Sequence, residues 1–262
     1  MIISHSINQH LNYNYRFIIQ PKYMFPVPTI VISLKRAQNR RKNAEKELLN
    51  QGADWEILDA IDGLKLQNTP PEYNENKVSK LLGFPLTLSE IGCFLSHREA
   101  WLNCIEKDQT VLILEDDFAL APNIKEAIFF LLENQSCWDI ARLQGLSQTS
   151  HSVIITSKSF EIVTNKDDPL GATAYLLKPH AAKKLLVESH EIYEPLDHFL
   201  EHHKKHSLRM VAIKPYPVST NGSESTIFDR PDRKSISGSR KIVRSISRAL
   251  DRLFNPNPWF PK

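Results

Sequence analysis

The sequence predicts an α/β fold in which helices cover both faces of a parallel or mixed central sheet. Strand-like and helix-like segments alternate along the chain, which is the order that such folds require. The run VLIL at residues 111–114 is aliphatic and has no polar alternation. That pattern is typical of a strand that is buried on both faces of a sheet.

The first half of the chain is predicted to hold three strands and two helices. In order, these are a strand at 29–34, a helix through 44 to about 50, a strand at 55–63, a helix from 87, and the strand at 111–114. Gly52 supplies the stop of the first helix. Thr87, with Glu90 three residues later, matches a capping box at the start of the second. Residues 65–80 are polar, contain two adjacent prolines and are expected to form a loop.

The second half continues the alternation. Its predicted elements are a helix at 123–133, a short strand at 138–140, a strand at 173–177, a helix that follows it, a helix at 195–205 and a late strand at 211–219. Pro179 suits the first turn of the helix that follows the strand at 173–177. Residues 146–170 carry no diagnostic pattern.

Composition predicts a soluble globular chain. Its 262 residues allow one large domain or two small ones. There is no apolar run of about 18 residues for a membrane-spanning helix, and no basic segment with an apolar core that would mark a signal peptide. Three cysteines without metal-ligand spacing, Cys93, Cys104 and Cys137, favour a reduced cytosolic protein.

The formal net charge of +3 is unevenly distributed. Residues 229–262 carry nine Lys/Arg and three Asp/Glu, a balance of +6, so the rest of the chain sums to −3. A nucleic-acid-binding domain carries its basic face on the fold itself. We therefore expect no nucleic-acid partner.

The three adjacent carboxylates Glu115, Asp116 and Asp117 follow the aliphatic strand directly. In open α/β sheets, ligands bind just past the carboxyl ends of strands. Adjacent carboxylates repel one another and are costly to bury unless a cation or strong donors lie among them. Two interpretations stay open: a solvated turn, or a site for a divalent cation that prefers oxygen ligands.

The order of motifs resembles glycosyltransferase family 25, which includes bacterial lipooligosaccharide galactosyltransferases and collagen galactosyltransferases. The motifs are IVISLKRAQNRR, LDAIDG, LSEIGCFLSHREAW, VLILEDDFAL, GATAYLLKPHAAKKLL and PLDHFL. Their most specific parts are EIGCFLSH and LEDD. The resemblance covers residues 28–228 and leaves out residues 1–27, which we predict to be an arm that need not belong to the core and in which Met24 is an alternative start.

The resemblance implies a GT-A fold that moves a sugar, typically galactose, from a UDP-sugar to a lipooligosaccharide or other surface glycan with inversion. It also implies Mn²⁺ or Mg²⁺ on the donor diphosphate, where the cation acts as Lewis acid and template. Glu115, Asp116 and Asp117 then correspond to an acidic D-x-D element. We expect Asp117 to bind the metal and to be essential for catalysis, with Glu115 reaching either the ribose or the metal and its water shell.

Other residues are candidates for donor binding. The backbone of Ser33 and Leu34, at the end of the first strand, is placed to cradle a nucleotide. Arg36, Arg40 and Arg41 can offer charge to phosphate. The alternative is that they lie on a solvated helix face, and for Arg41 we favour this alternative.

Two further candidates lie in the other motifs. The pair Asp62-Gly63 could accept a hydrogen bond from uracil or ribose, or could form a plain turn. His97, beside Ser96 on the predicted helix, is a candidate contact to donor or acceptor. Cys93 lies four residues before it on the same face, which would suit a thiolate nucleophile, but glycosyl transfer needs none.

Asp197 in PLDHFL is the predicted general base for the acceptor hydroxyl. Metal or acceptor binding, or a purely structural acid at a helix start, are its alternatives. The overlapping segment HFLEH, residues 198–202, also matches the H-x-x-E-H motif of zinc proteases. A third alternative is a catalytically inactive protein that only binds a sugar nucleotide.

Residues 239–254 predict an amphipathic helix with a basic polar face, the pattern of an interfacial membrane anchor. We expect the tail, residues 229–262, to hold the protein on the cytoplasmic face of the inner membrane, next to a lipid-linked oligosaccharide acceptor. The alternative is a helix that packs on the catalytic domain or on a partner chain.

Overall fold

The structure is a computed structural model that describes residues 25–166 and 169–222. Its strands are β1 Thr29–Ser33, β2 Trp55–Asp59, β3 Val111–Glu115, β4 Phe118–Leu120, β5 Ile140–Arg142, β6 His151–Thr156, β7 Glu161–Asn165, β8 Ala174–Leu177, β9 Met210–Lys214 and β10 Val218–Thr220. Its helices are α1 Gln38–Gln51, α2 Glu75–Leu82, α3 Leu88–Lys107, α4 Ile124–Glu133, α5 Pro179–Glu188, α6 Leu196–Glu201 and α7 His203–His206.

Eight strands form one mixed sheet in the order β2-β1-β3-β8-β5-β9-β7-β6, and β4 pairs with β10 in a small second sheet. Within the large sheet, β7 and β8 run opposite to the other strands. The carboxyl ends of β1, β2, β3 and β5 therefore meet at one edge. The predicted α/β, GT-A-like class with a mixed central sheet flanked by helices is confirmed.

The central strand β3 is buried on both faces, as its aliphatic run predicts. Val111 and Ile113 belong to one hydrophobic core, whereas Leu112 and Leu114 belong to the other. All four side chains have 0% exposure. Because successive side chains of a strand point to opposite faces, this one strand joins the two cores, and its last residue, Glu115, comes out at the sheet edge.

The predicted helix signals are also confirmed. Thr87 accepts a hydrogen bond from the Glu90 amide, and the Glu90 side chain accepts one from the Thr87 amide, which completes the capping box of α3. Gly52 ends α1 in the left-handed conformation at φ 62°. Pro179 occupies the first turn of α5. The capping box sets the first residue of α3, the helix that carries His97.

Several predicted boundaries are wrong. Residues 65–80, predicted as loop, contain the start of α2, which Asn74 caps and which buries Val78 and Leu82. The single helix predicted at 195–205 is two short helices, α6 and α7. Polar residues around the two prolines hid the short apolar stripe of α2, since two buried positions give a weak periodic signal.

The middle and the amino-terminal side of the chain also differ in detail from the sequence patterns. The segment 146–170 contributes the hairpin of β6 and β7, which extends the sheet. Phe25 and Val27, which the sequence assigned to the arm, are buried in the second core. In the part of the chain that the structure describes, the helices are too short or too polar to cross a bilayer.

Candidate functional site

A pocket lies at the sheet edge where β1, β2 and β3 end, and the first turns of α3 close it. All predicted site residues except Asp197 line it: Ser33, Leu34, Arg36, Arg40, Asp62, Gly63, His97, Glu115, Asp116 and Asp117. Carboxyl ends of parallel strands are the usual place for ligands in open α/β sheets. The fold thus brings together residues that lie up to 84 positions apart, from Ser33 to Asp117.

The three acidic residues have different surroundings, although they are adjacent in sequence. Asp116 is buried, and both of its carboxylate oxygens are bonded within the protein. Ser33 Oγ donates to Oδ2 at 2.5 Å, and Arg40 Nη1 donates to Oδ1 at 2.7 Å. Asp116 therefore ties β3 to the end of β1 and to α1, and its charge is compensated by Arg40.

Asp117 differs from Asp116 in that one of its oxygens is unpartnered. Its Oδ1 is buried and has no hydrogen-bond partner among the described residues. Burial, together with the neighbouring charge of Glu115, raises the pKa of Asp117 to about 6. A buried acceptor that faces a second carboxylate is the arrangement that a cation relieves, so Asp117 and Glu115 fit a divalent metal that prefers oxygen ligands.

Glu115 is held from both sides of the pocket. His97 Nε2 lies 3.3 Å from Oε1, and Thr173 Oγ1 donates to Oε2 at 3.4 Å. Burial alone would raise the pKa of Glu115, but the contacts with His97, Thr173 and Cys93 outweigh it and lower that pKa. Glu115 is thus kept as an oriented carboxylate anion.

The side chains behind His97 form a buried network that sequence patterns did not reveal. Tyr175, on β8, places its hydroxyl 2.8 Å from His97 Nδ1, and Trp101 Nε1 donates to the same hydroxyl at 2.9 Å. Tyr175 belongs to the GATAYLL motif, which was the available signal. Its register opposite Ile113 of β3 is set by strand pairing and is invisible in the sequence.

Arg36 and Asp62 form an ion pair at the mouth of the pocket, with Nε 2.9 Å from Oδ2. This pairing raises the pKa of Arg36 and lowers that of Asp62. Arg41 instead donates to the carbonyl oxygens of Ser33 at 2.6 Å and Leu34 at 3.1 Å. The Arg41 side chain is only 15% exposed, so the solvated helix face that the sequence favoured for it is wrong, and Arg41 instead ties α1 to the chain after β1.

Gly63 has a packing role that any side chain would disrupt. A Cβ at this position would lie 2.0 Å from the Leu88 carbonyl oxygen, and one at Gly92 would lie 2.7 Å from the Ile61 carbonyl oxygen. The two glycines let the segment after β2 lie directly on α3. That contact places Asp62 at the rim of the pocket.

Asp197 lies outside the pocket lining, on the first turn of α6. Its Oδ1 accepts a hydrogen bond from the His198 amide at 3.0 Å. On the next turn, Glu201 pairs with Arg142 at the carboxyl end of β5, with Nη2 2.5 Å from Oε1. Asp197 is therefore at the same sheet edge as the pocket but not in it.

The zinc-protease alternative is not supported by the geometry of residues 198–202. Glu201 is buried against Arg142, and His202 Nδ1 lies 2.9 Å from Glu194 Oε1. Among the residues that the structure describes, the group with metal-ligand spacing is Cys93, His97 and Glu115, whose ligand atoms all lie within 4.8 Å of one another. That group belongs to the pocket at the end of β3.

The fold and the pocket define an α/β protein with a pocket, lined by acidic and basic side chains, at the carboxyl edge of a mixed sheet. The chain belongs to glycosyltransferase family 25: the model of that family, described as "Glycosyltransferase family 25 (LPS biosynthesis protein)", matches residues 27–200. The matched region includes every residue of the pocket.

Individual relatives agree with that assignment. A glycosyltransferase 25 family member of Aedes aegypti is 27% identical over 247 residues, which cover 83% of this chain and 40% of that protein. Procollagen galactosyltransferase 2 of Homo sapiens is 26% identical over 276 residues, 87% of this chain and 43% of that protein. The chain thus spans less than half the length of these relatives.

Among solved structures, the inositol-1-phosphate CTP transferase of T. maritima matches 87% of this chain and 97% of its own, with 10% identity and a TM-score of 0.37. A likeness at that score supports no argument about this chain.

Proposed function

We propose that the chain transfers a hexose, galactose in the first instance, from a UDP-sugar to a hydroxyl group of a surface glycan of the lipooligosaccharide type, with inversion. The galactosyl assignment follows its procollagen galactosyltransferase relatives, and the acceptor follows the description of the family as one of LPS biosynthesis proteins. The observation that carries the proposal is the buried, unpartnered Oδ1 of Asp117 beside Glu115 at the end of β3.

Glu115 and Asp117 would hold Mn²⁺ or Mg²⁺. When bound there, the cation would offset negative charge on the diphosphate of the donor. Asp116 would not take part, because Ser33 and Arg40 already occupy its oxygens.

Cationic and backbone groups of the chain would bind the rest of the nucleotide. Arg36 is 41% exposed at the mouth of the pocket, so its guanidinium can turn from Asp62 toward a phosphate oxygen. Ser33, Leu34 and Gly63 line the pocket around that position. Binding by these groups would orient the sugar toward the acceptor side of the sheet edge.

Asp197 is proposed as the general base that takes the proton of the acceptor hydroxyl. Its place on α6, beyond the pocket at the same edge, is on the side of β5 rather than of β1 and β2. An acceptor that approached from that side would lie between Asp197 and the donor sugar, as an inverting displacement requires.

The test is a screen of UDP-sugars with Mn²⁺, Mg²⁺ or chelator, in which UDP release and glycan products are measured. We expect turnover with UDP-galactose only when metal is present, and none from Asp117→Ala. Full activity in chelator or in Asp117→Ala would contradict the metal assignment. Binding of UDP-sugar without turnover on any acceptor would favour the inactive-binder alternative.

Asp197→Asn separates chemistry from binding. If Asp197 is the base, kcat falls by about 100-fold or more while the affinity for UDP is little changed. Loss of UDP and metal binding in that variant would move Asp197 to the metal site.

We also propose that the tail, residues 229–262, docks the enzyme on an anionic membrane surface on the cytoplasmic side. This segment lies outside the described residues, so its support is the sequence pattern alone. Each basic residue near an anionic surface adds about 1 kcal/mol. Docking would confine the enzyme and a lipid-linked acceptor to one surface.

A further inference from the structure

A buried chain of hydrogen bonds leads from α3 through β8 to the pocket. It runs from Trp101 to Tyr175, then to His97 and on to Glu115. The exposed fractions of Trp101, Tyr175 and His97 are 0%, 1% and 0%. We propose that Tyr175 is a positioning residue that fixes His97 in its Nε2–H tautomer, so that His97 presents a donor to Glu115.

The donor and acceptor inventory of these groups selects the tautomer. The indole N–H of Trp101 can only donate, so the Tyr175 oxygen accepts that bond. Among the described residues, the other polar neighbour of the Tyr175 hydroxyl is His97 Nδ1, at 2.8 Å. If Nδ1 carried the proton, the hydroxyl hydrogen would be buried without an acceptor, which is costly. With Nδ1 as acceptor, every group in the chain is satisfied.

The hydroxyl of Tyr175 is well suited to act as the donor. Burial raises the pKa of Tyr175 well above its usual value, so its proton is retained across the working range of the enzyme. The rings of His97 and Tyr175 are nearly parallel, with an interplanar angle of 16°. The bond from Trp101 holds the Tyr175 hydroxyl in place next to His97 Nδ1.

The consequence falls on Glu115. A neutral imidazole with its proton on Nε2 donates to Glu115 Oε1, while Thr173 donates to Oε2. The carboxylate plane is then held by one donor on each oxygen, and its remaining lone pairs are directed to the pocket. In this tautomer Nε2 also has no lone pair for a metal, so the Cys93, His97 and Glu115 group does not act as a soft-metal site.

The first test needs no variant. Long-range ¹H–¹⁵N spectra of the ¹⁵N-labelled full chain report which ring nitrogen of each histidine carries the proton, and His97→Gln identifies the His97 signals. We expect His97 to show a protonated Nε2 and an unprotonated Nδ1. A protonated Nδ1 in the wild-type protein would overturn the proposal.

Tyr175→Phe removes the hydroxyl and keeps the ring. We expect the Nδ1–H form of His97 to rise above its wild-type population, because the hydroxyl that requires an unprotonated Nδ1 is gone. Among the described residues, the longer contact of Nε2 with Glu115, at 3.3 Å, is then what still favours the Nε2–H form. Tyr73→Phe is the matched control, since Tyr73 also loses a hydroxyl that accepts a bond, from the Leu86 amide, but lies outside the pocket. An unchanged tautomer in folded Tyr175→Phe would refute the positioning role.

Trp101→Phe is the variant to use if Tyr175→Phe does not fold. This variant keeps the Tyr175 hydroxyl, whose hydrogen still needs Nδ1 of His97 as acceptor, so the Nε2–H tautomer of His97 should persist. Loss of that tautomer in Trp101→Phe would count against the proposal.

The link to Glu115 rests on the proposed function, and kinetics test it separately. Tyr175→Phe should weaken the apparent affinity for Mn²⁺ by about 10-fold or more, as loss of a supporting hydrogen bond does at metal sites, whereas Tyr73→Phe should not. If the protein uses a substrate other than a UDP-sugar, His97 would still be in the Nε2–H tautomer. The proposed role of Tyr175 and the proposed function can therefore fail independently.

Discussion

Neutralising Asp116 and neutralising Asp117 should have opposite effects on stability, although the two residues are adjacent. Asp117 has a pKa near 6 instead of the usual 3.8, because burial and Glu115 disfavour its charge. At pH 7.5 that shift corresponds to about 3 kcal/mol of destabilisation of the folded state without metal. Asp117→Asn removes the charge but leaves a buried oxygen without a partner, so we expect a net gain of about 1–2 kcal/mol.

Asp116→Asn should do the reverse. The Asp116 carboxylate is the ion-pair partner of Arg40 and the acceptor for Ser33, and both side chains of the pair are largely buried, at 8% and 14% exposure. Removing one member of such a pair costs about 3 kcal/mol, because the remaining charge loses its compensation. The two isosteric changes, made at neighbouring positions, therefore differ by about 4–5 kcal/mol in their effect on the free energy of unfolding.

The assay is guanidinium unfolding at pH 7.5 in chelator, with Asp54→Asn as a control, since Asp54 is exposed. The same proteins are then unfolded in Mn²⁺. Wild-type stability should rise with metal, and Asp117→Asn should not respond. If Asp117→Asn destabilises the protein in chelator, or gains as much from Mn²⁺ as the wild type does, then the uncompensated carboxylate does not mark the cation site.

Three further predictions concern a glycine of the pocket, a buried ion pair away from it, and the tail. Gly63→Ala should lower the free energy of unfolding by more than about 3 kcal/mol and weaken donor binding, because its Cβ would lie 2.0 Å from backbone. Gly52→Ala, with open space around it, should lower that free energy by only about 1 kcal/mol. Equal losses for the two variants in urea unfolding would refute the packing argument. Asp139 is buried, but its bonds to Arg209 outweigh that burial and lower its pKa to about 2. The Asp139 carboxylate should therefore add about 2 kcal/mol to the free energy of unfolding above pH 4, and this contribution should be lost as the pH falls to about 2. Asp139→Asn should accordingly destabilise the protein at pH 7 and have little effect on its stability near pH 2. In vesicle co-sedimentation at low salt, a chain ending at Ser235 should no longer bind anionic vesicles that the full chain binds; equal binding by both would rule out a membrane role of the tail.

The sequence by itself determined the fold class and the place of the acidic cluster at the edge of the sheet. An aliphatic run without alternation requires a strand with two covered faces, and acids directly after it must lie at the carboxyl edge of the sheet. The capping box of Thr87 and Glu90 set the start of α3, and four-residue spacing put Cys93 and His97 on one face of it. These are local signals, which is why they could be read without coordinates.

Only the tertiary structure decided how three chemically similar carboxylates divide their roles. Pairing of β3 with β1 brings Ser33 and Arg40 to Asp116, and pairing with β8 brings Thr173 beside Glu115 and Tyr175 behind His97. Asp117, just past the strand end, keeps a buried Oδ1 that has no hydrogen-bond partner among the described residues. Which strands become neighbours depends on the whole chain, because strand pairing joins residues that lie far apart in sequence. A single sequence therefore does not show which acid is paired within the protein and which keeps an unpartnered oxygen.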